Sequence, residues 1–224
     1  MWLCVAAALA GIPEDLATAA DTDLPTALRE EAYARIAKPG STDALYKLAE
    51  SKETAKAERW VAIRALGPIG DDASRVALLH FLASSDASER MAALGGIGDR
   101  GDTSMSGHVA ARLTDPALLV RAAAAQALGK LKDPSTLGDL DRALQDPTNH
   151  YRGASLWFRP HLVEAMAAIG TDAAVPGLAR ALEDKDPNVS AAALAGLEKV
   201  AGFSSKEGRT PEQEREAWRR WAGR

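Results

Sequence analysis

The chain has 224 residues, and a hydrophobic content of 46% is enough to form a continuous core. Aromatic residues make up only 5%, which suits the close packing of alanine-rich helices better than a β-sandwich or barrel. Its 31 acidic residues outnumber 27 basic ones, and the resulting net charge of -4 disfavours nucleic acid as a partner. The only cysteine, Cys4, excludes an intrachain disulfide and a cysteine-rich zinc site.

Residues 1–20 form an apolar segment with two open interpretations. The run MWLCVAAALAG contains Ala8-Leu9-Ala10, which resembles a signal-peptidase site, but no Lys or Arg precedes it as a secretory signal requires. The segment is therefore either a remnant signal peptide or a capping helix, and both a cytoplasmic and an exported (periplasmic) location stay open. No segment reaches the roughly 18 apolar residues that a membrane span needs.

A repeat of about 31 residues begins after this segment. In its best-preserved copy, VRAAAAQALGKLK, the apolar residues lie on one stripe of a helix. A helix so rich in alanine buries too little surface to be stable alone, so it requires neighbouring copies. A second helix runs before it and ends at an Asp-Pro pair, as at Asp115-Pro116. The recurring arginines, 30 or 31 residues apart, are Arg29, Arg59, Arg90 and Arg121.

Glycines recur near the predicted ends of these helices, where a left-handed residue is often needed. They are Gly67, Gly98, Gly129 and Gly170. The glycine-rich stretch at 95–101, GGIGDRG, lacks the Lys-Ser/Thr of a phosphate-binding loop and is predicted to be a turn.

The pattern resembles the HEAT-repeat family, specifically the short bacterial HEAT-like repeats of phycobilisome lyases. The resemblance covers roughly residues 24–201 and is carried by two sets: Asp115 with Val120 and Arg121, and Asp23 with Leu28 and Arg29. It implies an all-α, right-handed α-solenoid (an armadillo/HEAT-like superhelix) of five to six helix pairs. In the family such aspartates and arginines form a structural ladder between repeats, here expected at Asp23, Arg29, Arg59, Arg90, Asp115 and Arg121.

The repeat domain is predicted at 21–201, interrupted by an insertion at about 148–160. Sixteen residues separate Asp146 from the arginine position, here Leu162, whereas six do so in regular copies, so about ten have been added. Arginine is also missing at Ser190, which predicts a broken ladder in the last two repeats.

The insertion is the candidate partner-binding site because it holds the residue types that dominate binding hot spots. Long loops on repeat scaffolds are also common binding sites. In the alternative interpretation, Trp157 and Phe158 fill a gap between alanine-rich repeats. The candidate residues are Tyr151, Arg152, Trp157, Phe158 and Arg159.

Neither a metal nor a cofactor is expected. His150, His161 and Glu164 have suitable donor atoms, but the chain lacks the adjacent His-Glu pairs with which HEAT-repeat iron enzymes bind their metal. No nucleophile motif such as GxSxG is present either. The sequence therefore predicts a protein that is not an enzyme.

The last segment, 202–224, is predicted to be a capping helix. Thr210 and Gln213 are spaced as in a capping box, with a proline at the first helical position. Trp218 and Trp221 share a face that would cover the end of the last repeat.

These features predict a monomeric, non-catalytic protein-protein interaction or scaffold module with an unidentified protein partner. The family resemblance implies an alternative, an enzyme-associated chaperone role like that of bilin lyases, which uptake of a tetrapyrrole would reveal. DNA binding along the arginines is a further alternative that the net charge disfavours.

Overall fold

The computed structural model describes residues 11–152, 154–202 and 210–223. Within these ranges the chain forms thirteen α-helices and one pair of two-residue strands. The helices are α1 (Ile12–Ala20), α2 (Thr26–Ile36), α3 (Thr42–Glu50), α4 (Lys56–Ile69), α5 (Asp72–Leu82), α6 (Ala87–Arg100), α7 (Ser106–Ala110), α8 (Leu118–Leu131), α9 (Leu137–Gln145), α10 (Arg159–Ile169), α11 (Val175–Ala181), α12 (Pro187–Ala201) and α13 (Pro211–Ala222). The strands are β1 (His150–Tyr151) and β2 (Ala154–Ser155), and short 3-10 helices occupy Thr103–Met105, Ala111–Thr114, Pro134–Thr136, Pro147–Asn149 and Asp172–Ala174.

Consecutive helices pack in pairs, and the chain divides into two compact units between Gly101 and Asp102. The first unit contains the pairs α1–α2, α3–α4 and α5–α6, and the second contains α7–α8, α9–α10 and α11–α12. The second helices of the pairs also stack, α4 on α6 in the first unit and α8, α10 and α12 in series in the second. The all-α class and the repeated helix pair are thus confirmed.

Residues 1–10 lie outside the described part, and Cys4 with them, so both interpretations of the N-terminal segment stay predictions. Helix α1 is the first described element, and it packs against α2 and α4. Ile12, Leu16 and Ala19 form its buried side. None of the described helices is both long enough and apolar enough to cross a membrane.

The C-terminal helix α13 begins with the predicted capping box. The Gln213 N–H donates to the Thr210 hydroxyl, and the Gln213 side chain accepts from the Thr210 N–H at 2.9 Å. Trp218 is buried and meets the Trp221 ring edge to face, with 5.4 Å between ring centres. The helix packs against α11. Arg219 makes a two-point ion pair with Glu183 at 2.6 and 2.9 Å.

Three of the four recurring glycines lie inside helices, so their prediction as helix ends is wrong. These three are Gly67 in α4, Gly98 in α6 and Gly129 in α8. The left-handed residues that end these helices come three positions later, at Gly70, Gly101 and Lys132. The prediction is right for Gly170, which ends α10 with φ 72°.

Close helix packing explains an internal glycine. A Cβ at Gly67 would overlap the main-chain carbonyl of Gly96, so α4 and α6 approach each other more closely than any side chain would allow. Gly96 is confined as well, because its Cβ would lie 2.8 Å from Leu78 Cδ2. The predicted turn at 95–101 is therefore wrong, since α6 continues through these glycines to Arg100.

Candidate functional site

The residues with left-handed backbone conformation show how the repeats align with one another. Each of the four arginines is followed eleven residues later by a residue with positive φ: Gly40, Gly70, Gly101 and Lys132 in turn. Gly170 is likewise eleven residues after Arg159. Arg159 therefore occupies the repeat's arginine position, and the assignment of that position to Leu162 is wrong.

The insertion is correspondingly shorter than predicted. Gly101 and Lys132 are 31 residues apart, whereas Lys132 and Gly170 are 38 apart, so seven residues have been added and not ten. Gly170 corresponds to the left-handed Lys132 and not to Gly129, which lies three residues earlier, inside a helix. The fifth repeat keeps its arginine.

Two of the recurring arginines bind main-chain oxygens of the turn that precedes their helix. Arg59 donates to the Thr54 carbonyl at 2.9 Å, and Arg90 to the Ser84 carbonyl at 2.9 Å. These guanidinium groups thus supply donors to carbonyls of the turn, which lie outside both helices.

Arg121 makes the same kind of contact. Its Nε donates to the main-chain oxygen of Asp115, and its terminal nitrogen donates to the Asn149 side chain, 28 residues further on. The Asp115 carboxylate accepts from the N–H of Ala117 at 2.9 Å. At the first expected pair, Asp23 is exposed, and its own N–H donates to the Asp21 carboxylate.

Arg159 is the most strongly held of these arginines. Only 2% of the residue is exposed, and its guanidinium donates hydrogen bonds of 2.7 and 3.3 Å to the Asp184 carboxylate. Two further hydrogen bonds, of 3.0 and 3.2 Å, go to the Leu144 carbonyl, and one of 2.8 Å goes to the Ser155 hydroxyl. Arg159 therefore joins the end of α9, the strand pair and the turn before α12. A side chain so fully engaged is part of the scaffold and not a free contact surface.

A polar cleft of about 700 Å³ lies beside Arg159, between the strand pair and the turn before α12. Burial disfavours the charged form of Asp184, but hydrogen bonds from Arg159 and from the Asp186 N–H hold its pKa below the ordinary value. A hydrogen bond with Ser155 is the main cause of a lowered pKa at Asp186. Both carboxyl groups therefore stay ionised at neutral pH, where a general acid would have to carry a proton.

The insertion forms a small hairpin with one exposed face. His150 pairs with Ser155, and Tyr151 with Ala154. Successive side chains of a strand point to opposite faces. Ser155 faces the scaffold through Arg159, while Tyr151 is 63% exposed. Arg152 comes next, in the turn, with φ 51°, and its guanidinium lies 5.2 Å from the centre of the Tyr151 ring.

The two remaining aromatic residues of the insertion have opposite environments. Phe158 is completely buried, whereas Trp157 is 54% exposed. The Trp157 ring meets the rings of Phe158 and His161 edge to face, at 6.3 and 5.7 Å between centres. The gap-filling interpretation thus holds for Phe158 and fails for Trp157. The exposed part of the candidate site consists of Tyr151, Arg152 and Trp157.

The histidines considered as metal ligands have other contacts. His161 Nδ1 is 2.8 Å from the Glu164 carboxylate, and His150 Nδ1 is 3.4 Å from the Asp146 carbonyl. No group of three or more His, Cys, Asp or Glu side chains suitable for a metal occurs among the residues that the structure describes.

Two family models match the chain. HEAT repeats match residues 76–157, and the PBS lyase HEAT-like repeat matches residues 58–84 and 161–184, so that together they cover more than half of the chain. The chain is a HEAT-repeat protein. The first match ends inside the insertion, at Trp157, and the last segment of the second begins just after it.

Several solved structures are similar to the chain at low sequence identity. Kap121p bound to Pho4p is 14% identical with a TM-score of 0.54, and the match covers 85% of this chain but only 25% of Kap121p. Human deoxyhypusine hydroxylase in complex with glycerol is 16% identical with a TM-score of 0.49, covering 90% of this chain and 100% of that one. The complex of CpcE and CpcF of phycocyanin lyase from Nostoc sp. PCC7120 is 21% identical with a TM-score of 0.49, covering 83% and 75%. No curated protein sequence matches the chain.

Proposed function

We propose that this HEAT-repeat chain is a non-catalytic scaffold that binds a protein partner through the exposed face of its insertion. One observation carries the proposal. Among the described residues, Tyr151 and Trp157 are the aromatic side chains with more than half of their surface exposed, and both belong to the insertion. Tyr, Trp and Arg are the residue types most enriched in binding hot spots, because each offers a large contact area and a directional polar group.

The base of the insertion is anchored, which favours tight binding. Buried Phe158 and the Arg159–Asp184 ion pair hold the C-terminal end of the segment, directly after exposed Trp157. A surface that is already ordered loses less conformational entropy on binding. The Arg152 guanidinium beside the Tyr151 ring adds a cation–π contact that favours the exposed arrangement.

The chemistry of the neighbouring cleft supports a role without catalysis. Its buried arginine is committed to Asp184 and to main-chain oxygen, and the nearby carboxyl groups have lowered pKa values. Kap121p, a solenoid of similar fold, has been solved bound to Pho4p and bound to Nup53p. Binding another molecule on such a scaffold therefore has a precedent.

The test compares which proteins three forms of the purified chain capture from a lysate of the source organism. These are the wild type, a Tyr151→Ala/Trp157→Ala variant and a Val76→Ala/Leu119→Ala control, whose sites are similarly exposed but lie outside the insertion. Circular dichroism must first show equal helicity. We expect at least one protein to be captured by the wild type and the control and depleted about tenfold or more with the insertion variant. Equal capture by all three forms would show that the insertion is not the binding site.

A further inference from the structure

A second candidate binding site lies in the first unit, far along the chain from the insertion. It is a cavity of about 310 Å³ between α2 and α4, hereafter the α2–α4 pocket. Arg29 and Tyr33 line it from α2, and Trp60 and Arg64 line it from α4. Each pair is spaced i, i+4, so its members share one face of their helix. The side chains of two arginines, a tyrosine and a tryptophan thus surround one cavity.

Two of these groups have hydrogen-bonding capacity that the fold leaves unused. The Tyr33 hydroxyl and the Arg29 Nε are shielded from solvent, and neither donates a hydrogen bond to a described residue. The Arg64 guanidinium lies beside the Tyr33 oxygen and acts to lower its pKa. Buried polar groups of folded proteins are normally paired, so unpaired ones call for an explanation such as an absent ligand. Burial is the main cause that raises the pKa of Tyr33 to about 12, and its hydroxyl therefore stays protonated and able to donate.

The other two side chains shape the pocket. Arg64 Nε donates to the Asp99 carboxylate at 3.0 Å, and its guanidinium lies 5.5 Å from the centre of the Trp60 ring. The charge of Arg64 is thereby partly balanced, and Trp60 provides a flat apolar wall. Glu30, also at the pocket, is exposed to solvent. The volume lies near the lower end of the range for small-ligand pockets, roughly 300 to 1,000 Å³.

We propose that the α2–α4 pocket binds a carboxylate attached to an apolar or aromatic group. Arg29 and Tyr33 donate hydrogen bonds to the two carboxylate oxygens, and Trp60 packs against the apolar part. Two neighbouring donors and one uncompensated guanidinium match the charge and the two oxygens of a carboxylate. A phosphate, with more oxygens and about twice the charge, would leave acceptors unpaired. The proposal is independent of the interaction site at the insertion.

Such a carboxylate could belong to a small organic acid or to the C-terminus of a peptide. Three probes distinguish these sources: benzoate, acetyl-Ala-Ala-Phe with a free C-terminus, and the same peptide as its amide. Each is titrated into the ¹⁵N-labelled full chain, and its dissociation constant is obtained from the shifts of backbone amide signals. Binding of the free-acid peptide more tightly than benzoate indicates a peptide terminus, and the reverse order indicates a small acid. In either case the amide should bind at least tenfold more weakly than the free acid.

The variants Tyr33→Phe and Arg29→Met should each weaken binding of the preferred probe at least tenfold, since each removes a hydrogen bond to a charged group. Tyr46→Phe, which alters a tyrosine of α3 outside the pocket, should leave affinity unchanged. Tyr33→Phe removes an unpaired buried hydroxyl, so its melting temperature should equal or exceed that of the wild type and weaker binding cannot come from unfolding. Absence of binding by both acids, or equal affinity of wild type and Tyr33→Phe, would overturn the proposal.

Discussion

Replacing Arg159 with methionine tests its role as the arginine of the fifth repeat. Methionine has a similar length and is unbranched, so it retains much of the packing while the charge and five hydrogen bonds are lost. The substitution leaves the Asp184 carboxylate, whose side chain is 15% exposed, without its guanidinium partner. It also leaves the Leu144 carbonyl without these two donors.

The expected loss is large for one substitution. Breaking a buried ion pair by removing one partner typically costs about 3 to 5 kcal/mol. The residual exposure of Asp184 allows some hydration, which places the expected loss near the lower limit, about 3 kcal/mol. Asp184→Asn in the Arg159→Met background should recover part of this loss, because it removes the unpaired charge.

Urea unfolding followed by circular dichroism measures these differences, with wild type, both single variants and the double variant forming a complete cycle. The stabilisation by the Arg159–Asp184 ion pair should also depend on pH. The folded protein holds the pKa of Asp184 below its ordinary value of 3.8, so the stabilisation is complete above about pH 4 and is lost as the pH falls through the lower folded-state pKa. A loss below about 1 kcal/mol at pH 7, or additive effects of the two substitutions, would refute this reasoning.

Three further substitutions test the close packing of α4 and α6 and the left-handed residue that ends α8. Gly67→Ala should destabilise the chain by about 1 to 3 kcal/mol, because the new Cβ would overlap the Gly96 carbonyl. The control Gly138→Ala, in α9 with open space around the Cβ position, should stabilise the chain by about 0.5 to 1 kcal/mol. Equal effects on the urea midpoint would contradict close helix contact at Gly67. Lys132→Gly should stabilise by about 1 kcal/mol, since lysine holds a left-handed φ of 54° there. A lower melting temperature for this variant would show that the position is not strained.

Much of the architecture could be predicted from local pattern. The 31-residue period, the alanine stripes and the Asp-Pro turns indicated helix pairs, and the capping box at Thr210 indicated where α13 begins. These signals are readable because helical periodicity and capping depend on residues a few positions apart.

The structural role of each recurring glycine and arginine could not be predicted from local sequence pattern. A glycine eight residues after an arginine is consistent both with a helix end and with a close contact inside a helix. The structure shows the contact at Gly67 and places the left-handed residue at Gly70. Arg159 and Gly170 are eleven residues apart, as an arginine and a left-handed residue are in the earlier repeats. Only the observed helix ends showed that these are the residues to align.

The sequence by itself determined the repeat, the class of fold and the place where the repeat is interrupted. Tertiary structure decided which side chains of the insertion are available to a partner. Phe158 and Arg159 are neighbours of Trp157 and have equally suitable chemistry for binding, yet the first two are buried and the third is exposed. The reason is physical: exposure depends on which face of the hairpin and of α10 turns toward α9 and α12, and that is set by contacts between residues distant in sequence, such as Arg159 with Asp184.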